Sequence, residues 1–414
     1  MFENVLYQDA TELLANDIKN NVLPQSLLLA GPAFSGKFTT ALEIARILAC
    51  SGEDNGNWLC ECPSCLKHKS LSSTDVLIAG NRTCECEIAA SRETLMNAYK
   101  TSASWIQASR YLFVRSVRKL TNRFNPVLWE DDDKASKISP IIAAIDEILE
   151  ILDPLKPLID FETFEKQSAK LLEHCVKLES SFMYDAIPIS HIRKASSWAH
   201  YTVANGKKVF IIEKADKMPE GVRNALLKTL EEPPAQCVFI LIAENRNAIM
   251  PTILSRVRTY SFVGRNTVQN ADVLKRIYRL QDDAIQTLES KAQGNSLLAT
   301  HHNNFLPISL DDISLHAKTF VNELRQKEIP DLELLLKNMK NFEPRSLLQL
   351  FFNAIIEIQK QELLHTSGLN TALISEKNYA VLDALKTAHS NVTIYNQNIR
   401  ASFETLTYQL LKVL

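Results

Sequence analysis

Apolar and polar positions along the chain change period several times, and each change marks an element. Residues 26–30 (SLLLA) form a short continuous apolar run, the pattern of a strand buried on both faces. The apolar positions of FTTALEIARILA (38–49) recur near every 3.6 residues and predict a helix, as does DATELLANDIKNN (9–21) upstream. A second short strand is predicted at DVLIAG (75–80). Further on, the alternation resumes: ISHIRKASSWAHYT (189–202) as a helix, KKVFIIEKAD (207–216) as a strand, GVRNALLKTLEEPP (221–234) as a helix stopped by its prolines, and CVFILIAEN (237–245) as a strand. Strands alternating with helices imply a parallel sheet covered on both faces.

Residues 83–185 carry long helical periods and little strand signal. Ile141, Ile142, Ile145, Ile148, Leu149 and Leu152 share one face, and Leu171, Leu172, Val176 and Leu178 suggest another, with breaks at WEDDDK (129–134) and DPLKP (153–157). The segment reads as a helical insertion that the α/β pattern can close without. From about 265 onward only helical periods remain, and NNFLPISLDD (303–312) reads as a linker; the sequence has no internal repeats.

Composition narrows the class. At 414 residues the chain is too long for one core and predicts two or three domains. A formal net charge of −2 excludes a globally basic nucleic-acid binder and leaves any DNA contact regional. The N-terminal MFENVLYQDATELL has no basic stretch followed by an apolar run, and no segment is apolar for the length of a membrane span; a cytoplasmic protein is expected. Eight cysteines in a reducing compartment are then thiols or metal ligands rather than disulfides.

The candidate chemistry begins at the first strand-to-helix junction. Gly31, Gly36 and Lys37 have the spacing G-x-x-x-x-G-K of a phosphate-binding loop, in which backbone N–H groups and the helix N-terminus hold an anion and the lysine adds charge. The next position, which should carry a magnesium-binding hydroxyl, is Phe38; Thr39 lies a further helical rotation of about 100° away. Cys62-x-x-Cys65, preceded by Cys50 and Cys60, offers four thiolates for a structural zinc site, with Cys84, Cys86 and His68 as other candidate ligands and metal-free thiols as the alternative. Arg115, Lys119 and Arg123 recur every four residues, with Arg118 beside them, in a stretch that also holds Trp105, Tyr111 and Phe113. That face reads as solvated, or as a contact for DNA phosphates or an acidic partner.

NALLKTLEEPP (224–234) followed by PTILSRVRTYSF (251–262) resembles the bacterial DNA polymerase III clamp-loader subunits of the AAA+ class, above all the δ′ subunit, with the γ/τ ATPase subunit as a near relative. The resemblance covers roughly 1–80 and 186–300, and more weakly NQNIRASFETLTYQLL (396–411), which is similar to the last collar helix. It implies an AAA+ P-loop α/β domain over 1–264 with a zinc-binding segment at 50–68, a helical lid over 265–302 and an all-helical collar over 310–414. The helical insertion at about 83–185 has no counterpart in the family pattern.

In the family pattern the middle loop glycine corresponds to Phe34 and the magnesium-binding hydroxyl to Phe38. The Asp-Glu pair that closes the third strand corresponds to Glu213 and Lys214, and QGNSLLA (293–299) lacks the arginine that the ATPase relatives carry in the lid. The resemblance therefore implies a vestigial nucleotide site (Gly31, Gly36, Lys37, Thr39, Glu213) and no ATPase activity of its own, against the alternative of a working ATPase with tolerated variants. It implies structural zinc on Cys50, Cys60, Cys62 and Cys65, although Cys60-x-Cys62 is tighter than the family spacing. Ser-Arg-Val at 255–257, where the family has Ser-Arg-Cys, makes Arg256 the arginine finger offered to a neighbour's ATP, with Arg258 the close competitor and a plain surface arginine the alternative. The function implied is a δ′-like stator in a hetero-pentamer with γ/τ and δ subunits, supporting ATP-dependent loading of the sliding clamp onto primed DNA. A γ/τ-type motor subunit and an AAA+ adaptor in DNA repair are the alternatives.

Overall fold

A computed structural model describes residues 1–52, 56–202, 206–292, 296–344, 346–365, 371–393 and 397–414, the side chains of 362–376 excepted. Part of the zinc segment (53–55) and the lid positions 293–295 lie outside the described residues. The chain divides into two compact units, Met1–His302 and Asn303–Leu414.

The first unit is built on a parallel sheet of β1 (Ser26–Ala30), β2 (Val76–Ala79), β3 (Lys208–Ile212), β4 (Cys237–Ala243) and β5 (Arg258–Ser261), in the order β2-β3-β4-β1-β5. β1 to β4 are buried at every position, which is why they read as unbroken apolar runs. β5, with the sequence RTYS, lies at the sheet edge and buries only Tyr260 fully. It carries no apolar run, so periodicity did not reveal it. The helices of this unit are α1 (Ala10–Lys19), α2 (Lys37–Ala49), α3 (Pro63–Lys69), α4 (Glu85–Lys100), α5 (Ile106–Thr121), α6 (Pro126–Trp129), α7 (Ala135–Ile151), α8 (Phe161–Phe182), α9 (Ile189–Ala199), α10 (Glu220–Glu231), α11 (Pro251–Leu254), α12 (Thr267–Ile277) and α13 (Asp282–Lys291), with α14 (Leu297–Asn303) at the boundary.

Strand alternation sends neighbouring residues to opposite faces, and two cores result. Leu27, Leu29, Val209, Ile211 and Ile240 pack with α1 and α2 on one face. Leu28, Leu77, Phe210, Phe239 and Leu241 face the other way, into a single cluster with Ile88 and Leu95 of α4, Phe113 and Val117 of α5, Phe164 and Leu171 of α8, and Ile192 and Leu226 of α9 and α10. The expectation that the sheet closes without residues 83–185 is therefore wrong, because helices from that segment share the core with one whole sheet face. The segment is also tied internally: the carboxylate of Glu179 in α8 accepts from the backbone N–H groups of Cys84 and Glu85 at the start of α4, both at 3.0 Å. Burial pushes that carboxyl up to about 7.

The second unit consists of α15 (Leu310–Arg325), α16 (Leu332–Asn338), α17 (Ser346–His365), α18 (Thr371–Thr393) and α19 (Ile399–Val413). Phe320, Phe342, Phe351 and Phe403 meet in its centre, with Phe342 and Phe403 stacked at 4.9 Å. Among the described residues no helix is long and apolar enough to cross a membrane.

Candidate functional site

The C-terminal ends of β1, β2 and β3 converge, the usual place for a ligand in a parallel sheet. The loop after β1 has positive φ at both glycines of the G-x-x-x-x-G-K spacing. Gly31 has φ +153°, and a Cβ there would sit 2.2 Å from the Phe262 carbonyl oxygen; Gly36 starts α2 with φ +97°. Phe34 takes φ +58° without being glycine, a left-handed conformation that costs a non-glycine residue roughly 1–2 kcal/mol. Its ring packs edge-on to His302 at 5.8 Å, and His302 in turn hydrogen-bonds the Tyr278 hydroxyl at 2.7 Å. The ring thus points at 265–302 rather than crowding the loop.

Lys37 is buried and its ammonium donates to the carbonyl oxygens of Gly31 and Pro32 and, at 3.3 Å, to Ser35 Oγ. Burial lowers its pKa to about 8, opposed by Glu244, Asp216 and Glu213. The charge that a phosphate loop aims at the outer phosphates is here turned back into the loop.

The position after Lys37, where the family pattern carries a hydroxyl, is packed among cations. Phe38 is buried, and three cations surround its ring: Arg82 at 4.9 Å, Arg123 at 5.2 Å and Lys119 at 6.0 Å from the centroid. Glu213 is buried and its two carboxylate oxygens are divided between Arg82, at 3.2 Å, and Arg123. Arg82 also pairs with Glu87 at 2.9 Å, and Lys119 takes the other oxygen of Glu87. Burial pulls the Glu87 carboxyl upward, but Lys119 and Arg82 outweigh it and hold the group well below the usual carboxylate range. Arg82, Lys119 and Arg123 outnumber Glu87 and Glu213 by one charge in this network, which disfavours a further divalent cation there. Lys214 follows Glu213 with φ +53°, its ammonium pKa lowered by burial, and Thr39 is half-buried one step along α2 from Phe38.

This network corrects the reading of Arg115, Lys119 and Arg123 as a solvated or DNA-facing surface. Lys119 and Arg123 turn inward to Glu87 and Glu213, and Arg115 donates to the carbonyls of His68 (3.2 Å) and Lys69 (2.8 Å). A spacing of four placed them on one helix side; it did not say that the side faces buried carboxylates. Arg82 and Glu87 carried no sequence signal, since neither belongs to a motif.

The sulfur atoms of Cys50, Cys60, Cys62 and Cys65 lie within 4.8 Å of one another, and those of Cys50 and Cys60 are 3.7 Å apart. Tetrahedral Zn–S bonds of about 2.3 Å give sulfur pairs about 3.8 Å apart, so this donor set fits the ion. Gly52 makes room for it: a Cβ there would lie 2.5 Å from the Cys60 sulfur. Cys62 also caps α3, and although burial works the other way, the backbone N–H groups of Cys65 and Ser51 bring its thiol down to about 6. Cys84 and Cys86 are instead buried at the start of α4, with Cys84 in the core shared by α4 and the sheet, and His68 is outside the thiol cluster.

Arg256 follows α11, half-buried. Its guanidinium donates to Thr252 O at 2.7 Å and Ser255 Oγ at 3.2 Å and pairs with Glu231 at the end of α10, while Val257 is buried beneath. Arg258, on β5, bonds Asp17 at 2.9 Å, and Asp17 also accepts from the buried Tyr260 hydroxyl. The two arginines are thus held by different structures, one by the α10–α11 corner and one by the sheet edge.

The chain is 33% identical over 101 residues to the DNA polymerase III subunit delta′ of Haemophilus influenzae, covering 24% of this chain and 31% of that one. It is 36% identical over 96 residues to the DNA polymerase III subunit tau of Bacillus subtilis, covering 21% and 16%. The matches therefore span less than a third of these relatives. A solved chain of a Thermotoga maritima DNA polymerase III gamma subunit-related protein aligns with 60% of this chain and 90% of its own, at 14% identity and a TM-score of 0.30, too loose a superposition to bear on the fold. The family model described as DNA polymerase III, delta subunit, matches residues 7–128 and 157–265, so it runs through α4 and α5 and leaves only 129–156 of the expected insertion unmatched. Matched over more than half its length, through the phosphate loop, the sheet and the Ser-Arg corner, this chain belongs to the DNA polymerase III delta subunit family.

Proposed function

We propose that this chain is a δ′-like stator of the replicative clamp loader: a non-hydrolysing AAA+ subunit that joins a hetero-pentamer with γ/τ and δ subunits. It supports ATP-dependent loading of the sliding clamp onto primed DNA and offers Arg256 to the ATP held by a neighbouring motor subunit. The observation that carries the reading is the cationic cluster beside the loop, where Arg82, Arg123 and Lys119 stand around the Phe38 ring and the carboxylate of Glu213 is already paired with Arg82 and Arg123. A nucleotide triphosphate without its metal loses the ion that neutralises its β and γ oxygens. The loop is kept because it joins β1 to α2 in the core of the sheet, and the nucleotide chemistry belongs to the neighbours.

The test is direct. In magnesium buffer the purified chain is expected to retain no radiolabelled ATP analogue and to show no hydrolysis above background, and Lys37→Ala is expected to leave clamp loading by a reconstituted complex unchanged. Turnover that Lys37→Ala abolishes would identify a γ/τ-type motor instead. In the same reading the four thiolates hold one structural zinc ion. Elemental analysis of protein purified without chelator is expected to give about one zinc per chain, lost in Cys60→Ser and kept in Cys84→Ser. Absence of zinc would overturn the metal assignment and leave the stator role standing.

A further inference from the structure

Four thiolates around one divalent zinc ion leave a net charge of about −2, which a partly buried site must offset. A buried cation that reaches one of the thiolates is Arg46, on the helix that the phosphate loop launches. Its side chain is 1% exposed. Nε pairs with Glu43 Oε2 at 2.9 Å, Nη2 donates to the Gly56 carbonyl at 2.8 Å, and Nη1 donates both to the Asn57 carbonyl at 3.0 Å and to the Cys65 sulfur at 3.3 Å. The Asn57 carbonyl also accepts from the Cys60 N–H at 3.2 Å, and Cys50 is the C-cap of the helix that carries Arg46. One guanidinium therefore touches Cys65 directly, Cys60 through one carbonyl, and Cys50 through its own helix.

We propose that Arg46 is the positioning residue of the zinc site, orienting and partly neutralising the Cys65 thiolate while fixing the Gly56–Asn57 turn that returns the chain to Cys60. The inference rests on the zinc reading of the cluster. A planar fork with five donors suits the task; a lysine ammonium supplies the charge without the fork. The plainer view is a buried ion pair serving only the fold. Against it, one of the four bonds goes to Glu43, whose other oxygen is unpartnered, and the remaining three go to the cysteine segment. Arg115 is the matched control. It shares the Trp58 ring with Arg46, at 5.7 and 5.3 Å from the centroid, but donates to backbone carbonyls.

The experiment measures zinc affinity of the full chain by competition with a chromogenic chelator, and the thiolate-to-cobalt charge-transfer band after cobalt substitution. Arg46→Met leaves Glu43 buried and unpaired, so the double variant Glu43→Gln/Arg46→Met is measured beside it. Both are expected to bind zinc about 10–100-fold more weakly, the usual effect of removing an outer partner of a metal ligand, and to shift the cobalt band. Arg46→Lys is expected to recover part of the affinity, and Arg115→Gln to match wild type in both readouts. Wild-type affinity and an unshifted band in whichever of the double variant and Arg46→Lys folds overturns the role of Arg46 alone. A wild-type chain that takes up neither metal overturns the zinc reading as well.

Discussion

Arg256→Ala in a reconstituted clamp loader is expected to lower DNA-stimulated ATP hydrolysis in part and clamp loading severely, while zinc content, solubility and ring assembly stay as in wild type. An arginine supplied in trans to a γ-phosphate is worth about 10³–10⁵ in rate at the site it serves. In the proposed assembly this subunit would serve one ATP site among several, so total hydrolysis would fall by that site's share, whereas loading, which would need the sites to act together, would fall further. The local geometry makes the variant clean. Arg256 is tied to Thr252, Ser255 and Glu231 at a corner outside the sheet. Releasing a partly exposed pair of this kind costs about 0–1 kcal/mol, so neither the substitution nor the reach toward a phosphate threatens the fold. Arg258→Ala changes charge equally two residues away, but its partner is Asp17 in the Tyr260 network. It is expected to affect stability modestly and catalysis little. Wild-type loading by the Arg256 variant, or greater sensitivity at Arg258, would remove the finger assignment.

Replacing residues 83–185 by a short linker is expected to abolish soluble expression of the first unit. Such a replacement strips the cover from Leu28, Leu77, Phe210, Phe239 and Leu241, which share one cluster with α4, α5 and α8. Burying a large apolar side chain contributes about 1.5–3 kcal/mol, so five of them match the whole stability of a typical domain, about 5–15 kcal/mol. The change also removes Lys119 and Arg123, leaving Glu213 with Arg82 alone. Soluble yield and cooperative melting of the shortened chain decide the matter; a monomer with a sharp thermal transition would show that the sheet face finds other cover.

The strands β1 to β4, the helices α2, α9 and α10 beside them and the helical character of 83–185 and of the C-terminal region were legible in the sequence, whereas α3 lay unread inside the cysteine-rich segment. Each depends on local hydrophobic period, and a sheet buried on both faces writes that period strongly. The phosphate-loop glycines and the grouping of Cys50, Cys60, Cys62 and Cys65 were legible too, because turns and metal knuckles are built from residues close in sequence. The sequence also places Phe38 and Lys214, neither of them a magnesium ligand, where the resemblance expects a hydroxyl and a carboxylate.

What needed the tertiary structure was everything set by partners distant along the chain. Arg82, Glu87, Lys119, Arg123 and Glu213 come from the β2–α4 junction, the end of α5 and the end of β3, and meet only because these three places are brought together. Helical spacing put Lys119 and Arg123 on one face, but whether a basic face meets water or buried carboxylates depends on what packs against it. The same reason explains β5, whose RTYS sequence has no apolar run and becomes a strand by pairing with β1, and the 83–185 segment, whose amphipathic helices gave no sign that the surface they cover is the sheet itself. Periodicity reports that a face is buried; only the fold decides against what.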